Sequence, residues 1–340
     1  MPLRIPSPYL LFLGDVSLAG LAKTAHGLVE WAPERCLAQF SLPGCAAEAG
    51  LPELSPIEAA RRGARAMVVG VAPQGGALPE SWWPALVDAL EQGLDLVSGM
   101  HARLSDVPLL RDTAQRLGRR LFDVRHTDRA IPSATNRRRS GRRVLTVGLD
   151  CSVGKKYAAL ALTRVLRNRG VEATFRATGQ TGILIAGEGI AVDAITADFV
   201  AGAAELLSPD AAAAHWDVIE GQGSLYHPAY AGVTLGLLHG SQPDALVLCG
   251  HATRKGLELM PDVPLRDYPE AIAAHEQLAA VTHPAPRVVA LSVNTQGLAT
   301  DHEARGHLDA LADRVGLPAT DPLRFGAEPL ADAVLARPLR

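Results

Sequence analysis

Short apolar runs alternate along this chain with longer segments of helical periodicity. In the first half, Tyr9–Leu13, Ala66–Val71, Leu94–Val97 and Leu121–Val124 read as buried strands. Ser55-Pro56-Ile57-Glu58 is a capping box with proline at the first helical position, so a helix is expected there. Further helices are expected over Pro84–Leu90 and Leu109–Leu117. The alternation then breaks at Thr135-Asn-Arg-Arg-Arg139-Ser-Gly-Arg-Arg143, which is polar, basic and turn-rich. It restarts with strands at Val144–Gly148, Thr174–Ala177, Asp217–Glu220, Ala245–Cys249 and Val288–Val293. Helices are expected at Lys155–Arg169, around Asp198–Leu207, and at Pro269–Val281 and Glu303–Val315. Strands alternating with helices predict an α/β fold of two doubly wound domains. The break places them at residues 1–135 and 142–340. Its five arginines in seven residues suit either a solvated linker or a phosphate contact.

Composition narrows the function. Of 340 residues, 48% are apolar and 20% charged, enough to bury two cores. The net charge of −3 gives no reason to expect nucleic acid as a partner. No apolar run reaches the roughly 18 residues of a membrane span, so no membrane partner is expected. Prolines interrupt the start where a signal peptide would be continuously apolar. Cys36, Cys45, Cys151 and Cys249 have neither CxxC pairing nor metal-ligand spacing, so no metal site and a reduced cytoplasm are expected.

The most specific chemistry lies in Gly148-Leu-Asp150-Cys151-Ser152-Val153-Gly154-Lys155-Lys156. A strand, a glycine-bounded loop, a Gly-Lys pair and a helix together cradle phosphates. The usual loop has four residues between its glycines and Ser/Thr after its lysine. Here there are five, and Lys156 stands in place of the hydroxyl. That hydroxyl normally binds the Mg²⁺ of a nucleotide. Its loss favours a diphosphate that is held and not cleaved, such as that of coenzyme A, over ATP with Mg²⁺. Cys151, near a helix N-terminus, reads either as a nucleophile with lowered thiol pKa or as a small residue in a tight loop.

Three other stretches carry candidate groups. Ala177-Thr-Gly-Gln180-Thr-Gly182 falls at the carboxyl edge of a sheet, where ligands bind. Asp193 and Asp198 lie among apolar residues, which would suit a general base; helix-start and solvent-facing roles are the alternatives. Glu220-Gly221-Gln222-Gly223-Ser224-Leu-Tyr-His227 follows a strand. Its glycines admit a ligand to the backbone. Glu220 could take a proton, Ser224 could bond an oxyanion, and His227 could act as acid or base.

Together these motifs resemble the D-glutamate (D-amino-acid) N-acetyltransferase family. Gly148–Lys155, Ala177–Gly187, Val192–Ala194, Ala197–Glu205 and Ile219–Pro228 carry the resemblance. So do Lys23-Thr-Ala, Gly70–Gly76 and Val97–His101 in the first half. The resemblance covers nearly the whole chain. It implies a Rossmann-like N-terminal domain and a P-loop NTPase-like C-terminal domain, acetyl-CoA as co-substrate and a small-molecule amino acid as acceptor. A homo-oligomer is a further expectation. The second domain is also similar to dethiobiotin synthetase, so an ATP-dependent ligase or kinase is the alternative reading. A non-catalytic nucleotide-binding protein is another. The chain departs from the acetyltransferase pattern at Lys156-Tyr157.

Overall fold

The structure is a computed structural model that describes residues 5–127 and 129–338. The chain divides into two compact units. One takes the chain up to Arg129 together with Gly179–Ala194; the other takes Ala130–Thr178 and everything from Ile195 onward. A division drawn by sequence at 135–142 does not contain that return segment.

In the first unit, strands β1 (Tyr9–Gly14), β2 (Cys36–Ser41), β3 (Ala66–Val69), β4 (Asp95–Ser98) and β5 (Leu121–Asp123) form one sheet. Its order is β2-β1-β3-β4-β5, and every pair is parallel. Tyr9–Leu13 is buried throughout, as a central strand covered on both faces must be. Helices α1 (Lys23–Trp31), α2 (Pro56–Arg61), α3 (Trp83–Glu91) and α4 (Pro108–Leu117) connect the strands. The Ser55/Glu58 capping box starts α2, and Gly118, in the left-handed region at φ 63°, ends α4. Trp82 meets Phe12 edge-on at 5.4 Å, and its indole N–H donates to Asp15 at 2.7 Å.

The second unit opens with β6 (Arg142–Gly148), α5 (Lys155–Asn168) and β7 (Ala173–Arg176). The chain then passes through helix α6 (Gln180–Ala186), which packs in the first unit: the Thr181 and Thr24 hydroxyls meet at 3.1 Å. Back in the second unit follow α7 (Val200–Leu207), β8 (Trp216–Ile219), α8 (Ala231–Ser241) and β9 (Ala245–His251). An antiparallel hairpin comes next, β10 (Gly256–Leu257) and β11 (Met260–Pro264). Then come α9 (Tyr268–Ala279), β12 (Val288–Asn294), α10 (Asp301–Val315), β13 (Ala319–Thr320) and α11 (Glu328–Leu335). The sheet order is β13-β12-β9-β6-β8-β7, all parallel. Strands are added on one side of β6 first and on the other afterwards. That switch opens a crevice at the carboxyl end of β6, the standard ligand position in such sheets. Glycines let α8 approach α7 closely. A Cβ at Gly236 would lie 2.5 Å from the Val200 side chain, and one at Gly240 2.0 Å from the Ala201 carbonyl oxygen. No helix among the described residues is long and apolar enough to cross a membrane.

Candidate active site

The loop from β6 to α5 is shaped by positive φ. Gly154, the N-cap of α5, takes φ 99°, and Ser152 takes φ 50°. These turns aim backbone N–H groups inward, and the N-terminus of α5 adds its partial positive charge. Lys155 is only 7% exposed and its ammonium donates to the Asp150 carbonyl at 2.7 Å. Burial pushes its pKa down. Lys156 turns away, its ammonium 4.4 Å from the centre of the Tyr157 ring.

Asp150 is fully buried and organises the loop. Its carboxylate accepts from the Cys151 N–H at 2.7 Å, the Arg254 guanidinium at 2.8 Å and the Glu258 N–H at 2.6 Å. It thereby ties the β10–β11 hairpin to the phosphate loop. Arg254 also donates to the Cys151 carbonyl at 2.7 Å. Sequence reading passed over Arg254. The signal was a basic pair, Arg254-Lys255, soon after the carboxyl end of a central strand.

The loop after β8 folds over the same crevice. Gly221 donates to the Thr146 hydroxyl at 2.9 Å. Glu220 is buried and accepts the Thr178 N–H at 2.9 Å, while the Thr178 hydroxyl donates to the Glu220 carbonyl at 2.7 Å. Gln222 donates to that hydroxyl at 3.1 Å. Gly223, at φ 64°, faces the Tyr230 carbonyl. The Ser224 hydroxyl donates to the Leu149 carbonyl at 2.9 Å. Its one proton therefore fastens this loop to the phosphate loop and is not offered to an oxyanion.

His227 is 1% exposed and stacks on Tyr230 at 4.5 Å. Its Nδ1 accepts the Ala229 N–H at 3.2 Å, so the neutral ring carries its proton on Nε2. Nε2 has no partner among the described residues. A ring nitrogen of His227, a carboxylate oxygen of Asp150 and Sγ of Cys151 lie within 4.8 Å of one another. Of the three, Asp150 already holds Arg254, His227 Nδ1 holds a backbone N–H, and burial pushes the Cys151 thiol up to about 11. That direction favours the small-residue reading of Cys151 over the acidic-thiol one: desolvation outweighs the nearby lysine.

Two candidate bases belong to other segments of the chain. Asp193 belongs to the first unit, where it pairs with Arg125. Asp198 is exposed on the short turn Ala197–Phe199. Neither has the apolar setting expected of it. Gln180 also belongs to the first unit and packs on Gly99, where a Cβ would lie 2.6 Å from its own. The second unit thus gathers Asp150–Lys156 with Glu220–His227.

Comparisons with known proteins agree with this layout. The Rossmann-like domain of the DUF1611 family matches residues 40–127, and that family's P-loop domain, described as of unknown function, matches residues 130–331. A D-glutamate N-acetyltransferase from Tritonibacter scottomollicae is 48% identical over 98% of this chain and 99% of its own length. Another, from a Pseudoalteromonas species, is 43% identical over 96% of this chain and 98% of its own. The crystal structure of a DUF1611 family protein from Anabaena variabilis superposes with a TM-score of 0.88 at 32% identity, covering 97% of this chain and 99% of that one. A Rossmann-like unit, a P-loop unit and this whole-length similarity place the chain in the DUF1611 family, alongside proteins named D-glutamate N-acetyltransferase.

Proposed function

We propose that this chain is an N-acetyltransferase that moves an acetyl group from acetyl-CoA to the amine of D-glutamate. The observation that carries the reaction is the whole-length similarity to D-glutamate N-acetyltransferases. The crevice at β6 supports how it works. Loop N–H groups, the start of α5 and Lys155 suit the coenzyme A diphosphate, and no hydroxyl follows Lys155 to hold Mg²⁺. The ammonium of the amino acid must lose a proton before its nitrogen attacks the thioester carbonyl. Glu220, a buried carboxylate beside the glycine loop, takes that proton. The C–N bond forms, the C–S bond breaks, the nitrogen sheds its second proton to the departing CoA thiolate, and the proton first taken by Glu220 passes to solvent.

His227 serves here as a donor and not as a base. Its Nδ1 lone pair is already engaged, and its Nε2–H has no hydrogen-bond partner among the described residues. Such an unused buried donor suits the oxygen that gains charge in the tetrahedral intermediate. Gln can place an N–H near the position of Nε2, whereas Phe cannot. His227→Gln is therefore expected to keep kcat/KM within about tenfold, and His227→Phe to lose about a hundredfold. Steady-state kinetics of both variants checks this, and equal losses would return His227 to the role of base.

The proposed activity is tested directly. Incubated with acetyl-CoA and D-glutamate, the protein should release free CoA thiol in step with N-acetylglutamate. Release of ADP from ATP with the same amino acid, and no thiol, would favour the ligase reading instead.

A further inference from the structure

The arginine-rich stretch that leads into β6 is solvated for most of its length but buries two of its arginines. Arg139 and Arg143 are 5% and 3% exposed. They line a cavity of about 480 Å³, together with Arg138, Arg142, Gln242, His283 and one carboxylate, Asp244. The cavity lies where β6 begins. The phosphate loop follows the other end of this seven-residue strand, about 20 Å away.

The two buried guanidiniums have no carboxylate in direct contact among the described residues; Glu205, Asp210, Asp217 and Asp244 act on them only from a distance. Arg139 donates to the carbonyls of Glu205 (2.9 Å), Ser208 (2.8 Å) and Gly240 (2.6 Å), and to the Ser208 hydroxyl at 2.9 Å. Arg143 donates to the carbonyls of Ser140 and Arg139. All these acceptors are neutral, and neither arginine makes an ion pair among the described residues. The carboxylates nearby are committed elsewhere. Glu205 accepts the backbone N–H groups of Thr135 and Asn136. Asp210 holds Arg137 and Ser140. Asp244 accepts the Arg143 backbone N–H and faces His283 at 3.4 Å. Arg142 lies over Trp216 at 4.1 Å. Meanwhile, among the described residues, Arg139 Nε is buried with no hydrogen-bond partner, and the exposed Arg138 makes no ion pair. Burial, reinforced by the like charge of Arg143, holds the Arg139 pKa down to about 10. Buried charge compensated only from a distance is costly, and an anion in direct contact within the cavity would offset part of that cost.

We propose that this cavity binds a small multivalent oxyanion, a phosphate or a polycarboxylate, at the edge of the sheet opposite the phosphate loop. The site is separate from the acetyl-transfer crevice and does not depend on that activity. Inorganic pyrophosphate and citrate serve as probes of the two ligand classes in calorimetric titrations. Lys155→Met disables the phosphate loop and should leave one site for at least one probe. Ala213→Glu, at an exposed position on the cavity wall, adds a second carboxylate beside Asp244 and should abolish that site without lowering the melting temperature. Arg138→Gln should weaken it about tenfold. Binding by pyrophosphate alone assigns a phosphate ligand, and binding by citrate a carboxylate one. If Lys155→Met binds neither probe, or Ala213→Glu leaves binding unchanged, there is no such site.

Discussion

Lys155→Met should weaken acetyl-CoA binding about a hundredfold and yet leave the protein at least as stable as before. The loss follows from removing a charge-assisted contact to a diphosphate, with the loop N–H groups left in place. The stability follows from burial. The ammonium is almost fully enclosed, bonds the Asp150 carbonyl, and has its charged form disfavoured by desolvation. Methionine keeps the aliphatic volume and removes the charge. Lys155→Ala should show the same loss of affinity with a lower melting temperature, because it opens a void beside Gly148 and Gly221. Calorimetry and thermal melts separate the two effects. Unchanged acetyl-CoA affinity in the methionine variant would show that this loop does not hold the cofactor's diphosphate.

Gly221→Ala should be the most damaging single methyl in the second unit. The added Cβ would sit 1.7 Å from the Thr146 carbonyl oxygen. That oxygen belongs to β6, in the middle of the sheet, and cannot move without breaking its pairing with β9. A loss of about 4 kcal/mol or more is expected, since neither backbone can yield. Gly232→Ala is the control. It lies in α8 with nothing within 4 Å of the added methyl, and it should gain about 0.5–1 kcal/mol from helix propensity. Chemical denaturation of both variants measures the contrast.

Some of this architecture was plain from residue order, and some was hidden for definable reasons. The strands around β6 and β9 are continuous apolar runs, and their loops carry glycines at the carboxyl ends. Hence the phosphate loop and the Glu220–His227 loop were legible. Helix α8 was not, because Ala231–Ser241 carries three glycines, which read as helix breakers. Two of them, Gly236 and Gly240, admit α7 to backbone distance, so packing overrides propensity. Helix α6 was not among the helices expected from the sequence, because its partners, such as Thr24, lie far away along the chain. The role of Ser224 in fastening two loops depends on where the Leu149 carbonyl points, which no local pattern reveals. Arg254 was missed for a related reason. Its acceptor, Asp150, precedes it by 104 residues.

The return of Gly179–Ala194 to the first unit sets an order of events during synthesis. Thr24 waits for Thr181, 157 residues later, and Arg125 waits for Asp193. A ribosome that has released only the first unit's own strands has therefore not yet released all the parts of that unit. Its completion must follow emergence of the first βαβ portion of the second, so the two halves mature as interleaved products and not one after the other. A gene cut at the arginine-rich stretch should accordingly yield an N-terminal fragment with an unsealed edge, prone to aggregate, however well its own sheet is specified.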